Sequence, residues 1–277
     1  MKTIISLSEL HATRRDLPGP VGLVPTMGFL HAGHISLVQR ARSECASVVV
    51  SIFVNPTQFG PGEDLAKYPR DLPHDLALLD AAGADLVWTP TPEIVYPPGF
   101  QTWVEVADLT KGLEGEVRPG HFRGVTTVVA KLFNGVRPDR AYFGQKDAQQ
   151  AAVIRRMARD LDFPVEIVVC PTVREADGLA MSSRNTYLQA EERQAATVLF
   201  RALSAAKSAY ERCERDAETL RRIMREAVTV EPLARLQYVS CADYETLEEL
   251  ETVKGKALLS MAVYLGKTRL IDNLILE

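Results

Sequence analysis

The sequence SVVVSIFV at residues 47–54 is the stretch that decides the fold class. It is dominated by β-branched and apolar residues and lacks the regular polar alternation of a strand with one face in water. Such a run is typical of a parallel strand covered by helices on both faces. A shorter apolar run, VGLV at residues 21–24, precedes it, and a helical pattern over 35–46 separates the two. This order predicts a βαβ unit and therefore a parallel sheet.

The same alternation continues on the C-terminal side of this unit, as far as residue 171. Apolar runs predict strands at 84–88, 140–143 and 165–169. Helical spacing predicts helices at 73–82, 125–133 and 146–160. We therefore predict an α/β fold, with a Rossmann-like parallel sheet flanked by helices over residues 1–171.

The pattern changes after Pro171. Residues 190–229 are rich in Ala, Glu, Arg and Leu and predict one or two helices. Extended runs at 236–240, 257–264 and 269–273 predict antiparallel strands. The expected second part, residues 172–277, is thus a smaller C-terminal α+β domain that contains an antiparallel sheet.

The composition excludes several classes of protein. The chain has 277 residues, 46% of them hydrophobic and 25% charged, and 32 basic against 36 acidic residues give a net charge of −4. This balance excludes intrinsic disorder and argues against binding nucleic acid through net charge. No apolar run reaches the roughly 18–20 residues of a membrane helix, and the N-terminus lacks the apolar core of a signal peptide. The four cysteines form no CxxC pair, so we expect free thiols in a cytoplasmic protein without membrane or nucleic-acid partners.

The sequence PTMGFLHAGH at residues 25–34 follows a predicted strand and opens a helix. Ligands bind at the carboxyl ends of parallel strands, and a helix N-terminus suits phosphate. His31 and His34 are three residues apart, so they share one face of a helical turn. They could also form a metal pair, although no HExxH motif is present, or serve as structural histidines at a helix cap. Other phosphate motifs fail, because GxGxxG is absent and the GKT at 266–268 lacks the glycine that a P-loop needs at position 261.

Three further stretches contain polar residues suited to a nucleotide or an acid. In NPTQFGPGED (55–64), the Gln58 amide can bind hydroxyls or a carboxylate, although the stretch also fits an ordinary Gly/Pro loop. In FGQKDAQQ (143–150), Lys146 could neutralise charge on a phosphate, while Asp147 could cap a helix, bind a ribose hydroxyl, or both. In MSSRN (181–185), two hydroxyls before Arg184 form a donor cluster for a polyanion, and an N-cap cluster is the alternative for the serines.

These blocks, in this order, resemble the pantothenate synthetase (pantoate–β-alanine ligase) family, which belongs to the HxGH-type nucleotidylyltransferases. The resemblance covers most of the first 190 residues and is supported beyond them mainly by length. It rests on PTMGxLHxGH, FVNPxQFGPxEDL followed by YPR at 68–70, RPGHFRGV at 118–125, FGxKDxQQ and MSSRN. Phe29 and Gln145 stand where the family usually has Ala and Glu.

The resemblance implies a two-step reaction. ATP adenylates the carboxylate of pantoate and releases pyrophosphate, and the amine of β-alanine then attacks the acyl adenylate to give pantothenate and AMP. It also implies Mg²⁺ with ATP, a homodimer formed through the larger domain, and a lid function for residues 172–277. A different HxGH adenylyltransferase and an ATP-binding regulatory protein are the alternatives.

The resemblance also implies roles for individual residues. His34 is the expected proton donor, and His31 and Lys146 are the other catalytic candidates. Gln58 and Gln150 are expected to bind pantoate, with Gln58 also contacting β-alanine. The expected ATP-binding residues are Met27, Gly28, Phe29, Leu30, His31, Ala32, Gly33, His34, Gly144, Gln145, Lys146, Asp147, Val173, Met181, Ser182, Ser183 and Arg184. Neither the Mg²⁺ ligands nor roles for Arg118 and His121 are assigned.

Overall fold

The computed structural model describes all 277 residues, Met1–Glu277, and they form two compact units. The first unit comprises Met1–Gly144 and Gln149–Pro171, and the second comprises Gln145–Ala148 and Thr172–Glu277. The short segment Gln145–Ala148 therefore groups with the second unit, whereas the predicted division at residue 171 places it in the first part.

The first unit contains a six-stranded sheet in which all strand pairs are parallel, in the order β1-β4-β3-β2-β5-β6. The strands are β1 Lys2–Ile4, β2 Val21–Thr26, β3 Ser47–Ile52, β4 Leu86–Trp88, β5 Arg140–Gly144 and β6 Glu166–Cys170. The helices along this part of the chain are α1 Leu7–Asp16, α2 Ala32–Glu44, α3 Leu72–Ala81, α4 Pro92–Val95, α5 Glu114–Val117, α6 His121–Val136 and α7 Ala148–Asp160. The predicted Rossmann-like parallel sheet is confirmed.

Apolar clusters cover both faces of the central strands, as the β-branched run predicts. On one face, Leu23 and Val49 pack with side chains of α6, among them Leu132. On the other face, Val50 packs with residues of α2 and α3, including Leu79. Because β3 is buried on both sides, an apolar residue is favoured at nearly every position along it.

The strand order reverses at β2, which pairs with β3 on one side and with β5 on the other. In open α/β sheets, ligands bind outside the carboxyl ends of the strands at such a reversal. The motif PTMGFLHAGH starts within the last residues of β2 and leads into α2. The topology therefore places this motif where the sheet offers a binding crevice.

The second unit is built around a three-stranded antiparallel sheet in the order β7-β8-β9. Its strands are β7 Ala234–Asp243, β8 Ala257–Leu265 and β9 Thr268–Leu276, and its helices are α8 Ala190–Ala195, α9 Val198–Glu211 and α10 Ala217–Thr229. Leu203 of α9 and Leu220 of α10 lie in one buried cluster with Leu259 and Met261 of β8. The predicted α+β segment with antiparallel strands is confirmed.

Several details of the secondary structure differ from the prediction, which also lacks the short helices α4 and α5. β1 and α1 precede the first predicted strand and have no counterpart in the prediction. In addition, residues 190–229 form three helices instead of the expected one or two, because the chain breaks after Ala195 and again after Glu211. None of the helices has the length and apolar composition needed to cross a bilayer.

The packing of α3 gives a direct test of the fold. Leu79→Ala should lower the free energy of unfolding by about 2–5 kcal/mol, because it leaves a cavity beside β3 where the side chain is fully buried. Leu72→Ala is the matched control on the same helix, where the side chain is 40% exposed, and it should change stability by about 0.5 kcal/mol or less. Urea unfolding followed by circular dichroism measures both. Equal unfolding midpoints for the two variants would contradict this packing.

Candidate active site

The loop after β2 has a backbone conformation that its sequence makes possible. The Thr26 hydroxyl donates to the carbonyl of Ser51 (2.8 Å) and accepts from the N–H of Gly28 (3.3 Å). Gly28 and Phe29 then take positive φ values of 81° and 51°. A Cβ at Gly28 would lie 3.0 Å from both an Asp75 oxygen and the Ile52 side chain. Glycine is thus favoured at position 28 by conformation and by space, while Phe29 adopts a conformation that is uncommon for a bulky residue.

Asp75 of α3 holds this loop in place. One carboxylate oxygen accepts from the N–H of Phe29 at 2.8 Å, and the other accepts from the N–H of Leu30 at 2.7 Å. The residue is 1% exposed, and this burial raises the pKa of its carboxyl, although the two N–H donors oppose the rise. Asp75 is absent from the predicted site residues, because it lies in an otherwise ordinary helical stretch.

The two histidines cap the helix that follows. His31 is the N-cap residue of α2, and its Nδ1 accepts from the N–H of Gly33 at 3.2 Å. The Nδ1 of His34 accepts from the N–H of His31 at 3.3 Å, and the ring centroids are 4.0 Å apart. A neutral imidazole that accepts at Nδ1 carries its proton on Nε2, so each neutral ring presents an N–H donor on its opposite edge. Capping and donation are therefore compatible roles for these residues.

The predicted pantoate residue Gln58 ends a short 3-10 turn, Pro56–Gln58, beyond β3. Its Nε2 contacts the sulfur of Met27 at 3.0 Å, and its Oε1 accepts from Asn55 Nδ2 at 3.1 Å. Asn55 is 1% exposed and also donates to the carbonyl of Gly124 at 3.1 Å. The structure thus brings Met27 and Gln58 together and adds Asn55, whose position directly before Pro56 was the available sequence signal for a turn.

Arg118 and His121 belong to a polar network behind the same turn. Arg118 donates to both oxygens of Glu63, at 2.8 and 2.6 Å. Arg118 can only donate to His121 Nε2 (3.2 Å), and the carbonyl of Gln58 can only accept from His121 Nδ1 (2.9 Å). These partners require the neutral ring with its proton on Nδ1. The network therefore holds the backbone of Gln58 through a neutral histidine.

The pKa values of this network agree with its hydrogen bonds. Burial and then the charge of Arg118 lower the pKa of His121 to about 4. Burial of Glu63 opposes its ionisation, but the hydrogen bonds and charge of Arg118 outweigh that effect, and the pKa of Glu63 is lowered. The network thus combines a neutral imidazole with a partly buried ion pair.

The two neighbouring glutamines of α7 have different environments. Gln149 is 5% exposed and binds backbone groups, donating to the carbonyls of Leu109 and Gly112 and accepting from the N–H of Glu114. Gln150, the predicted pantoate residue, is half-buried. The structure therefore gives Gln149 a structural role within the first unit.

In the second unit, the segment after β5 carries Lys146. Gln145–Asp147 form a 3-10 turn that leads into α7, and Lys146 Nζ lies 3.6 Å from Asp147 Oδ1. The Lys146 side chain is 20% exposed and that of Asp147 47%. The predicted ATP residue Gly144 is the last residue of β5.

The predicted residues 173–184 form a tight structure of their own. A turn at Gly178, with φ of 93°, folds the chain back so that Met181 N–H donates to the carbonyl of Val173 at 3.0 Å. Ser182 is then the N-cap of a 3-10 helix, Ser183–Tyr187, and its hydroxyl accepts from the N–H of Arg184 at 3.3 Å. Val173, Met181 and the Ser182–Arg184 group are thus close together within the second unit. The capping expected as the alternative for the serines is observed at Ser182.

The structure contains no group of three or more His, Cys, Asp and Glu side chains arranged to hold a metal ion. The predicted ATP-binding residues carry imidazole groups in the first unit, and ammonium, hydroxyl and guanidinium groups in the second. In each unit, groups of these types can donate hydrogen bonds to an anion.

Comparisons with known proteins identify the family to which the chain is similar. A profile of the family described as pantoate-beta-alanine ligase matches residues 1–275. Pantothenate synthetase of Roseiflexus sp. strain RS-1 is 61% identical over 277 residues, and that of Moorella thermoacetica is 54% identical; each alignment covers 100% of this chain, and 100% and 98% of the relative. The crystal structure of pantothenate synthetase from Thermus thermophilus has a TM-score of 0.95 at 52% identity and 99% coverage of both chains. Pantoate-beta-alanine ligase from Francisella tularensis, complexed with beta-gamma ATP and beta-alanine, has a TM-score of 0.81 at 35% identity, covering 99% of this chain and 97% of that one.

The network around His121 predicts a specific dependence of stability on pH. With a folded pKa of about 4 and an ordinary unfolded value near 6.5, the unfolded chain binds this proton first as the pH falls. The contribution of His121 is therefore complete above about pH 6.5 and is lost progressively down to about pH 4. At about 1.4 kcal/mol per pH unit, the loss is on the order of 3 kcal/mol.

His121→Gln should remove this part of the pH dependence, because glutamine does not titrate. Urea unfolding at pH 4.5, 5.5, 6.5 and 7.5 measures the slopes for the variant and the wild type. His11→Gln, at an exposed position on α1, is the matched control and should retain the wild-type slope. Parallel pH profiles for wild type and His121→Gln would show that His121 does not titrate as described.

Proposed function

The chain belongs to the pantoate–β-alanine ligase family, and on that premise we propose how its residues carry out the ATP-dependent joining of pantoate to β-alanine. In the first step, a carboxylate oxygen of pantoate attacks the α-phosphorus of ATP and pyrophosphate leaves. In the second step, the amine of β-alanine attacks the acyl carbon, loses a proton and displaces AMP. A carboxylate needs such activation because its own oxygen is a poor leaving group.

The observation that carries this proposal is the orientation of the two histidines. Each accepts a backbone N–H at Nδ1, so each neutral ring has its proton on Nε2. During adenylation, negative charge develops on the phosphates, and positioned donors stabilise that charge more in the transition state than in the ground state. We assign His34 as the proton or hydrogen-bond donor and His31 as its neighbouring donor.

The remaining ATP contacts are assigned separately in each unit. In the first unit, the backbone and side chains of residues 27–34 contact the nucleotide, at the N-terminus of α2 where N–H groups favour anions. In the second unit, Lys146 neutralises phosphate charge, the Ser182–Arg184 group donates to phosphate oxygens, and Asp147 accepts from the ribose. Gly144, Gln145, Val173 and Met181 complete the proposed set. A lid function for residues 172–277 remains a prediction.

Gln58 and Gln150 are the proposed pantoate contacts, and Gln58 also contacts β-alanine. An amide binds hydroxyl and carboxylate oxygens without a formal ion pair, so it leaves the attacking carboxylate nucleophilic. The Asn55 contact orients the Gln58 amide, because Asn55 Nδ2 fixes which end is the oxygen. The Gln58 Nε2 is then the end that donates.

Mg²⁺ enters, in this proposal, as part of the MgATP substrate. It characteristically binds phosphate oxygens, water and one or two carboxylates. Lysine and arginine cannot ligate a cation, so the donors assigned above contact the phosphates. We further propose a homodimer and a cytoplasmic location; the cysteines are free thiols, which a reducing compartment accommodates.

The two other functions considered for this sequence are not favoured. Relatives that are 54–61% identical over the full chain are pantothenate synthetases, whereas a different HxGH adenylyltransferase would leave a stable dinucleotide. An ATP-binding regulator would bind ATP without turnover, whereas the relatives that match the full chain are named as synthetases.

Reversible adenylation predicts an isotope exchange. Labelled pyrophosphate should enter ATP when pantoate is present and β-alanine is absent, because the first step runs backwards from the acyl adenylate. Omission of pantoate is the control and should abolish the exchange. Net AMP formation without any exchange would count against a reversible two-step reaction.

His34→Asn separates the capping role from the donor role. Asparagine retains an acceptor about as far from the backbone as Nδ1, but it lacks the Nε2 donor. Adenylation should slow by at least ~10²-fold, the lower end for a positioned acid–base group, while the melting temperature changes little. Amide formation from purified pantoyl adenylate should be much less affected, because phosphate chemistry has already occurred.

The matched control for this test is His11→Asn, at the exposed position on α1, and both half-reactions should retain their wild-type rates. If His34→Asn lowers the melting temperature strongly and keeps normal turnover, His34 serves only to cap the helix. Equal slowing of both half-reactions would argue against a role confined to adenylation.

A further inference from the structure

Lys146 is held within the second unit by the last strand of the chain. The proposed phosphate-binding lysine lies in Gln145–Ala148, which groups with residues 172–277 although its neighbours in sequence belong to the first unit. Asn273 on β9 forms hydrogen bonds with this segment. A lysine that must meet a developing charge depends on the position of its own backbone, so the anchor of this segment bears on the chemistry.

The side chain of Asn273 contacts this segment with all of its polar atoms. Its Nδ2 donates to the carbonyl of Gln145 at 3.0 Å and to the carbonyl of Lys146 at 2.9 Å. Its Oδ1 accepts from Gln145 Nε2 at 3.0 Å. Asn273 is 4% exposed, so these carbonyls have an amide partner in a buried setting. Loss of the two donors would leave two backbone acceptors without this partner, which is costly where water is excluded.

Asn273 is itself fixed by its neighbours on and around β9. Asp272, which is 2% exposed, forms a bidentate ion pair with Arg174 at 2.7 and 2.9 Å. Arg174 also donates to the carbonyls of Gly178 and Asn273, at 3.0 and 3.3 Å, and its guanidinium stacks over the Phe200 ring at 4.3 Å. The same arginine therefore ties the turn before Ser182 to the strand that holds Lys146.

We propose that Asn273 is a positioning residue for adenylation, acting through Lys146. It fixes the backbone of Gln145 and Lys146 in one rigid group with residues 174–178, which lead to Ser182–Arg184, so that the ammonium and the donor cluster keep a constant relative position. Preorganised donors stabilise a transition state because they need no rearrangement as charge develops. This inference rests on the function proposed above for Lys146.

The decisive variant is Asn273→Asp, which keeps the size and shape of the side chain and removes the two donations. An ionised aspartate can only accept, so it faces the carbonyls of Gln145 and Lys146 with like partial charges. If Asn273 acts by donation, Asp should slow adenylation at least as much as Ala, by ~10- to 10²-fold, with a much smaller change in ATP affinity. If it merely fills space, Asp should retain the rate and Ala should lose it.

A double-mutant cycle identifies the group through which Asn273 acts. In a Lys146→Ala background, Asn273→Ala should slow adenylation by less than about threefold, because the lysine that it positions is gone. Pantoate-dependent single-turnover adenylation, measured with saturating ATP, gives the rates for all four proteins. A full further loss in the Lys146→Ala background would overturn the proposal.

Two control variants exclude a general loss of structure. Ser260→Ala changes the register partner of Asn273 on β8, a buried hydroxyl without a hydrogen-bond partner, and should leave the rate unchanged. Leu259→Ala destabilises the core on the other face of this sheet and should lower the melting temperature without slowing adenylation of folded protein. If Leu259→Ala slows adenylation as much as Asn273→Asp, the role of Asn273 is structural.

The wild type separates this inference from the function on which it rests. A wild-type protein without pantoate-dependent adenylation defeats the proposed function. If the wild type is active and the Asn273→Asp variant adenylates pantoate at the same rate, this inference is wrong and the proposed function still stands.

Discussion

Asp75 accepts two hydrogen bonds, from the N–H groups of Phe29 and Leu30, and the candidate site residues of the first unit depend on this constraint. A carboxylate with 1% exposure is unfavourable unless it is hydrogen-bonded, and a bulky residue at positive φ costs roughly 1–2 kcal/mol. Here the two features stabilise each other, because the N–H groups of the turn donate to the buried carboxylate and the carboxylate holds the turn. The left-handed pair Gly28–Phe29 turns two successive N–H groups toward α3, and Asp75 accepts both.

This turn also determines how α2 begins. Serine or aspartate at the N-cap would satisfy the first N–H groups of the helix as well as an imidazole does. Histidine adds a second nitrogen on the far side of the ring, so a residue used for capping at Nδ1 still carries a proton at Nε2. His31 and His34 repeat this arrangement three residues apart. The motif therefore couples the start of a helix to a pair of oriented donors.

The elements that could be predicted from the sequence are those with a strong local pattern. β3 is predictable because five of its six residues are fully or nearly fully buried, whereas β1 is three residues long with one buried position, which leaves no periodicity to detect. α1 buries Leu10 alone, yet its capping box at Ser6 and Glu9 was a usable signal. The break after Ala195 has no Gly or Pro to mark it.

For the site, the sequence predicted the blocks of residues that are proposed to contact the substrates, and it did not predict the residues that hold those blocks in place. The blocks are dense in polar residues, whereas each anchor is one polar residue in an ordinary element. Asp75 lies 45 positions after Leu30, and Asn273 lies 128 positions after Gln145. Their contacts with these residues are therefore visible only in the folded chain. A pattern read along a single sequence cannot identify such long-range partners.

The anchors share a physical principle. Asp75 binds N–H groups, His121 binds the carbonyl of Gln58, and Asn273 binds the carbonyls of Gln145 and Lys146. In each case the anchor binds a main-chain atom of a residue that is proposed to contact substrate. These main-chain bonds fix the position of that residue and do not occupy the functional group of its side chain. An anchor that instead bound the Lys146 ammonium would compete with the phosphate for the same charge. Holding the backbone avoids that competition, so the geometry proposed for adenylation can be rigid without engaging the ammonium proposed to bind phosphate.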